Sequence, residues 1–298
     1  MEFFPGFKTF RCAFFFVGLL AVFLTAARAQ SAAVTLTPPV VVAGSPELIR
    51  VEAGSAESID GEWLGRKLEF FRGRDGRAWF ALAGVDVEAA VGPSTLKITL
   101  HLKSGGVREL TETLPIEADH YKTGALTVEP KYVSPGPEEL KRIAEDKQIK
   151  DNIFAVSAAQ PLWSANFRAP VVAEPTDSFG TRRTFNGKLA SIHKGMDFRA
   201  PSGTPVKAGN SGVVVLARPL YLEGGCVVID HGLSIYTISM HLSRIDVKEG
   251  QKVATGDQLG LSGATGRVTG PHLHWAVRWQ GASLDPAKLL RLDLNGVR

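Results

Sequence analysis

Hydrophobic and polar positions alternate through the first part of the chain. Leu96, Ile98, Leu100 and Leu102 interleave with Lys97, Thr99, His101 and Lys103. Period two gives a strand one buried face and one wet face. Ser104-Gly105-Gly106 then turns the chain into a second alternating stretch through Leu110 and Leu114. Asp75-Gly76 is a further hairpin signal, between Leu68–Phe71 and Ala78–Phe80. Short strands with frequent turns over residues 33–120 predict a small sandwich of immunoglobulin-like type, here without its cysteine pair. In this pattern His101 and His120 fall on the surface.

The pattern changes twice more. Ser134-Pro135-Gly136-Pro137 precedes Glu138-Glu139-Leu140-Lys141-Arg142-Ile143, which predicts the start of a solvated connecting helix. From about residue 160 the chain turns to glycine, proline and short β runs: Val213–Leu216, Cys226–Ile229 and Ile235–Met240. No long helix is legible there, so a mostly antiparallel β domain is expected. Gly263-Ala264-Thr265-Gly266 lacks the Gly-Lys-Ser/Thr ending of a phosphate loop and reads as turn chemistry. The expected division is 30–125 for the β-sandwich, 126–160 for the linker with its helix, and 161–298 for the second domain.

The first thirty residues stand apart. Lys8 and Arg11 precede an apolar run from Cys12 to Ala27, and Ala27-Arg28-Ala29 supplies a small-x-small cleavage signal. This order predicts a secretory signal peptide over 1–29, hence export to the periplasm or beyond, with no stable membrane anchor after cleavage. Net charge is +4 for the 298 residues; losing Lys8, Arg11, Arg28 and Glu2 leaves +2. No lysine/arginine block tracks phosphates, so nucleic acid is not an expected partner. Cys12 leaves with the signal, and Cys226, alone in an apolar strand, is expected to be a small core residue without a disulfide.

Candidate chemistry lies in the second domain. Four of the seven histidines fall in three short stretches: His193-Lys194-Gly195-Met196-Asp197, Met240-His241-Leu242 and Pro271-His272-Leu273-His274. On a strand, His272 and His274 share a face while Leu273 and Trp275 enter the core. His193 and Asp197 are an even number apart, so an extended chain also puts them on one face, with Gly195 leaving room for a close ligand. The same parity groups His241 with Ser239 and Thr237, opposite Ile238 and Met240. Two imidazoles and a carboxylate suit a catalytic zinc ion, which keeps a fourth position for water. Histidines beside such an ion can take and return protons near neutral pH.

At these residues the sequence resembles the lysostaphin-type, or LytM-like, zinc metallopeptidases. The likeness runs over about residues 170–290. It includes Ser178-Phe179-Gly180-Thr181-Arg182, Gly203-Thr204-Pro205-Val206, the segment from Gly250 to Gly256, the Gly-Pro-His-Leu-His ending at His274, and Asp285-Pro286. It implies a β-rich domain of the duplicated hybrid-motif, barrel-sandwich kind with its site in a groove. It implies one zinc on His193, Asp197 and His274, with His241 and His272 as the two non-ligand catalytic histidines. The implied substrate is the stem peptide or cross-bridge of peptidoglycan, so the implied activity is that of a zinc metalloendopeptidase. One departure stands out: where the family often has tyrosine two residues before the third-motif histidine, this chain has Ser239. Ser239 and Arg182 are therefore carried as substrate-contacting candidates, Arg182 for a stem-peptide carboxylate. His231, in Asp230-His231-Gly232, is expected to be structural. The competing reading is a catalytically inactive activator of a cell-wall amidase; such domains usually lack metal ligands. A wall-binding role for residues 33–120 finds no aromatic row to support it.

Overall fold

The computed structural model describes residues 1–3, 33–187 and 189–297, with the side chains of Leu189 and Ala190 left aside; the expected signal peptide lies outside these residues apart from its first three. From residue 33 onward the described chain forms one compact, mostly β unit. None of the described helices is long and apolar enough to cross a membrane.

The amino-terminal module has two sheets. Val34–Thr37, Pro46–Glu52, Ala78–Gly84 and Phe71–Arg72 form one, ordered outward on both sides of Pro46–Glu52 and Ala78–Gly84. The other centres on the long hairpin Gly92–Leu102 and Val107–Glu117, with Ala56–Trp63 beside it. The alternation at 96–102 holds through Leu100: Leu96, Ile98 and Leu100 are buried while Lys97 and Thr99 are wetter. Gly105 and Gly106 turn the hairpin with positive φ, at no steric cost to glycine. His101 is half-exposed and meets Asp60 at 2.9 Å, and His120 is exposed.

The second region is built on a large antiparallel sheet. Its order runs Pro175–Asp177, Met196–Phe198, Leu273–Trp279, Ile235–Leu242, Gly224–Asp230, Gly212–Leu220, Lys252–Val253, with Ala282–Leu284 off Leu273–Trp279. One face is closed by the core: Leu273, Trp275, Val277 and Trp279 are each at most 1% exposed. Each such side chain contributes about 1.5–3 kcal/mol by leaving water. The same core takes in Ile49, Leu82 and Ile98 of the amino-terminal module, so the two regions share apolar contacts. Asp285 N–H donates to the Gly44 carbonyl at 2.8 Å and Ser283 N–H to Asp86 Oδ2 at 2.7 Å across that junction.

The connecting helix spans Pro137–Phe154, with Pro137 in its first turn and Glu138 and Glu139 at the end that favours acids. Its Ile149, Ile153 and Phe154 lie on the other face of the large sheet, against Cys226, Val228, Tyr236, Ile238 and Ala276. Lys150 pairs with Glu223, and Asp146 Oδ2 accepts from the Tyr221 N–H at 2.6 Å. Ahead of the helix, Thr123–Leu126 joins a small sheet as a parallel neighbour of Arg182–Phe185. Cys226 is fully buried and free, and burial pushes its thiol pKa up, as expected of a core residue.

Candidate metal centre

Three separate stretches of sequence meet on the helix-bearing face of the large sheet. Met196–Phe198 pairs antiparallel with Leu273–Trp279, and the register sets Asp197 directly opposite His274. Cross-strand partners share a face, so carboxylate and imidazole meet without any loop having to reach. His193 lies just before this strand, tied by His193 N–H to the Thr181 carbonyl and by Gly180 N–H to the His193 carbonyl, both at 2.8 Å. Gly195 makes the approach possible: a Cβ there would stand 2.3 Å from His274 Nε2 and 2.8 Å from the Trp275 carbonyl.

The donor atoms converge tightly. Asp197 Oδ1 is 2.8 Å from His274 Nδ1 and 3.1 Å from His193 Nε2, and the two nitrogens are 2.9 Å apart. A tetrahedral ion with bonds of about 2.0–2.1 Å sets its ligand atoms about 3.3 Å apart, so the three need open by only a few tenths of an ångström. The outer contacts also fit. His193 Nδ1–H donates to the Ser178 carbonyl at 3.0 Å, which leaves Nε2 with its lone pair toward the site. Arg183 donates to Asp197 Oδ2 at 2.8 Å, and through Nε and Nη2 to Asp177 Oδ2 at 3.0 and 2.5 Å. That fork holds one carboxylate oxygen and turns the other inward. Burial alone would raise the Asp197 pKa, but its close polar contacts with His193 and His274 outweigh it and hold the group well below the usual carboxylate range.

His241 and His272 stand beside this cluster, with ring centroids 4.9 Å apart and His241 6.0 Å from His274. His241 Nδ1 meets the Thr265 carbonyl at 2.8 Å and His272 Nδ1 the Gly270 carbonyl at 2.8 Å. A carbonyl can only accept, so each Nδ1 carries the proton and each Nε2 is left as a base. His272 Nε2 lies 3.7 Å from Asp197 Oδ1. Burial, and then the neighbouring His274 and His272, push the His241 pKa down to about 3, keeping that ring neutral. All five residues line one groove of about 280 Å³. A larger hollow of about 630 Å³ beside Tyr132, Arg142 and Arg244 holds none of the histidines, so chemistry rather than size marks the site.

Parity misplaces the partner of His241. Val227 pairs with Ser239 and Gly225 with Leu242, so Met240 and His241 together stand opposite Cys226 alone. This is a β-bulge, with His241 at φ +65. Ser239 pairs with Trp275 and is buried on the core face, while Met240 pairs with His274 and lines the groove. His241 therefore reaches the site with Met240, not with Ser239 and Thr237. Tyr236 shares the Met240 face, but farther along, where its hydroxyl donates to the Val156 carbonyl at 2.8 Å under the helix.

Arg182 is exposed and lies outside the groove; its neighbour Arg183, one residue on and on the other face of the strand, is the one at the site. Sequence reasoning missed Arg183, and alternation along Arg182–Phe185 was the signal that could have raised it. His231 is fully buried with Nδ1 on the Ser211 carbonyl and Nε2 on the Thr237 hydroxyl, both at 2.8 Å, and burial lowers its pKa to about 4. Leu126 and Val128, from the segment before the helix, form part of the groove wall.

Residues 191–286 match the sequence model of Peptidase family M23. Over 101 residues the chain is 48% identical to the peptidoglycan DD-endopeptidase ShyA of Vibrio cholerae, covering 34% of this chain and 24% of that protein. Over 151 residues it is 42% identical to the peptidoglycan DD-endopeptidase ShyB of the same organism, covering 49% and 34%. The chain thus spans about a quarter to a third of the length of these relatives. In three dimensions it resembles a peptidase M23 from Pseudomonas aeruginosa, with a TM-score of 0.64 at 30% identity over 84% of this chain and 94% of the other.

Proposed function

Because this chain belongs to peptidase family M23, we propose that it is an exported zinc metalloendopeptidase that hydrolyses peptide bonds in peptidoglycan stem peptides or cross-bridges. The observation that carries this reading is the meeting of His193 Nε2, Asp197 Oδ1 and His274 Nδ1 within 3.1 Å of one another, beside two further histidines. The names of the relatives support the substrate, and the order Lys8, Arg11, apolar run, Ala27-Arg28-Ala29 supports export. The finer architecture belongs to the same reading: an immunoglobulin-like sandwich over 30–125, a linker with its helix over 126–160, and a peptidase domain of duplicated hybrid-motif type over 161–298.

When bound, zinc supplies a Lewis acid that acidifies water to a pKa of about 7 and polarises a carbonyl. The chain supplies the rest. Asp197 stays charged, and Arg183 fixes the oxygen that does not face the site. His241 and His272 each donate Nδ1–H to a carbonyl, of Thr265 and Gly270 respectively, which leaves Nε2 for proton transfer. Such a nitrogen takes the proton of the attacking water and returns it to the leaving amine. The partly buried groove limits competition from bulk water for these hydrogen bonds.

The alternative, an inactive activator of an amidase, is disfavoured by the complete donor set. Digestion of purified peptidoglycan, followed by mass spectrometry of the muropeptides, separates the two. New peptide ends produced by this chain alone support the peptidase. Intact peptides, together with activation of a partner amidase, support the activator.

A further inference from the structure

Among the described residues three cations line the groove, and two are already neutralised. Arg183 is spent on Asp177 and Asp197, and Lys194 pairs with Glu88. The third, Arg267, has no carboxylate within 4 Å of its guanidinium among the described residues. Its nearest acidic influence, Glu223, is engaged by Lys150.

Arg267 is nevertheless held in place. Its backbone N–H donates to the Leu222 carbonyl at 2.8 Å, and its guanidinium carbon lies 4.7 Å from the centre of the Phe185 ring. Stacking fixes the plane of the fork and leaves its N–H edges free. Burial is the largest influence on the group and disfavours its charge; Arg183 disfavours it further. A half-buried, oriented, unpaired guanidinium gains most from an anion of matching planar geometry, which is a carboxylate. Phe185 covers one side of it, and Leu126 and Val128 of the same groove wall are apolar, which strengthens such a contact.

We infer that Arg267 is a specificity-determining residue that receives a free carboxylate of the peptide substrate. It occupies the role that the sequence alone suggested for Arg182. This rests on the peptidase reading and adds to it the class of substrate: a peptide bearing a free carboxylate near the bond that is cut, in preference to its amide.

The test uses the full chain loaded with zinc and two substrates: a cross-linked muropeptide with free carboxylates, and the same muropeptide amidated with carbodiimide and ammonia. The expected ratio of kcat/KM, free acid over amide, is about tenfold to a hundredfold, the scale of one charge-assisted contact. Arg267→Gln brings that ratio to about one, and Arg267→Lys leaves part of it, while zinc content stays at one per chain for both variants. A wild-type ratio near one, or an unchanged ratio in Arg267→Gln, overturns the inference and leaves the peptidase reading standing. Failure of the wild-type chain to cut either substrate overturns both.

Discussion

Two buried carboxylates in this molecule are driven to opposite states. Glu47, in the amino-terminal module, is fully buried, and burial pushes its pKa up to about 8, with only Ser45 and the charge of Lys288 pulling back. Its Oε2 has no hydrogen-bond partner among the described residues. Asp197 is buried almost as well, yet is held charged. The difference lies in the number of donors that converge. Glu47 meets one hydroxyl, Ser45 Oγ at 2.5 Å, which also contacts the Val42 carbonyl at 2.8 Å. Asp197 meets two imidazoles and a guanidinium. A carboxyl in an apolar module keeps its proton; one held by a guanidinium and ringed by polar nitrogens gives it up and can serve as a ligand.

Removing a donor from the ring around Asp197 is the strongest way to break this contrast. His274→Ala is expected to lose both bound zinc and cleavage of peptidoglycan, measured by metal analysis and muropeptide release. His272→Ala keeps the donor set, so it is expected to retain zinc while cleavage falls by about 10²–10⁴. Full cleavage by His272→Ala would remove it from the proton-transfer role. Gly195→Ala leaves every donor in place but drives a methyl into the His274 ring. Zinc affinity is expected to fall by about 10–100-fold, measured by competition with a chelating dye.

Glu47 sharpens the contrast from the other side. Below about pH 4.5 the carboxyl is protonated in both folded and unfolded chains, and stability does not depend on it. Between about 4.5 and about 8 the unfolded carboxyl ionises while the folded one keeps its proton, so stability falls as pH rises. Asp197, with its pKa depressed, behaves oppositely: its contribution is present above the unfolded pKa and is lost as pH falls through the folded one. Glu47→Gln is therefore expected to gain on the wild type by on the order of 3 kcal/mol between pH 5 and pH 8, read from denaturant unfolding at both. Equal pH profiles would place Glu47 in the charged state.

How legible these regions were in the sequence follows from the same physics. Alternation around Leu96–Leu100 and Leu273–Trp279 reads directly, because one face of each strand is dry. That parity put His272 and His274 on one face, where the groove has them. It failed at His241, because a bulge adds a residue that no hydrophobic pattern records. The only local trace is a left-handed backbone at a histidine, which is a conformation and not a composition. Alternation could place Arg183 on the face opposite Arg182, but the roles of Arg183 and Arg267 stayed hidden for another reason: they depend on which acids fold beside them. Glu47 gave no sign, since a lone acid in a strand reads as a wet position. The bulge itself is open to test with a small effect: His241→Val is expected to be less stable than His241→Asn by about 1–2 kcal/mol, because β-branching is costly where φ is positive. Equal stabilities would argue for a regular strand there.

The nitrogen–carboxylate cluster of His193, Asp197 and His274 is the proposed seat of the chemistry. Zinc titration of the chelator-stripped chain, with muropeptide release followed at each addition, tests it most directly. Activity should be absent at the start, rise in proportion to added zinc and saturate at about one equivalent per chain, with no recovery in His274→Ala. Full cleavage by the stripped chain, or restoration by zinc in His274→Ala, would contradict it.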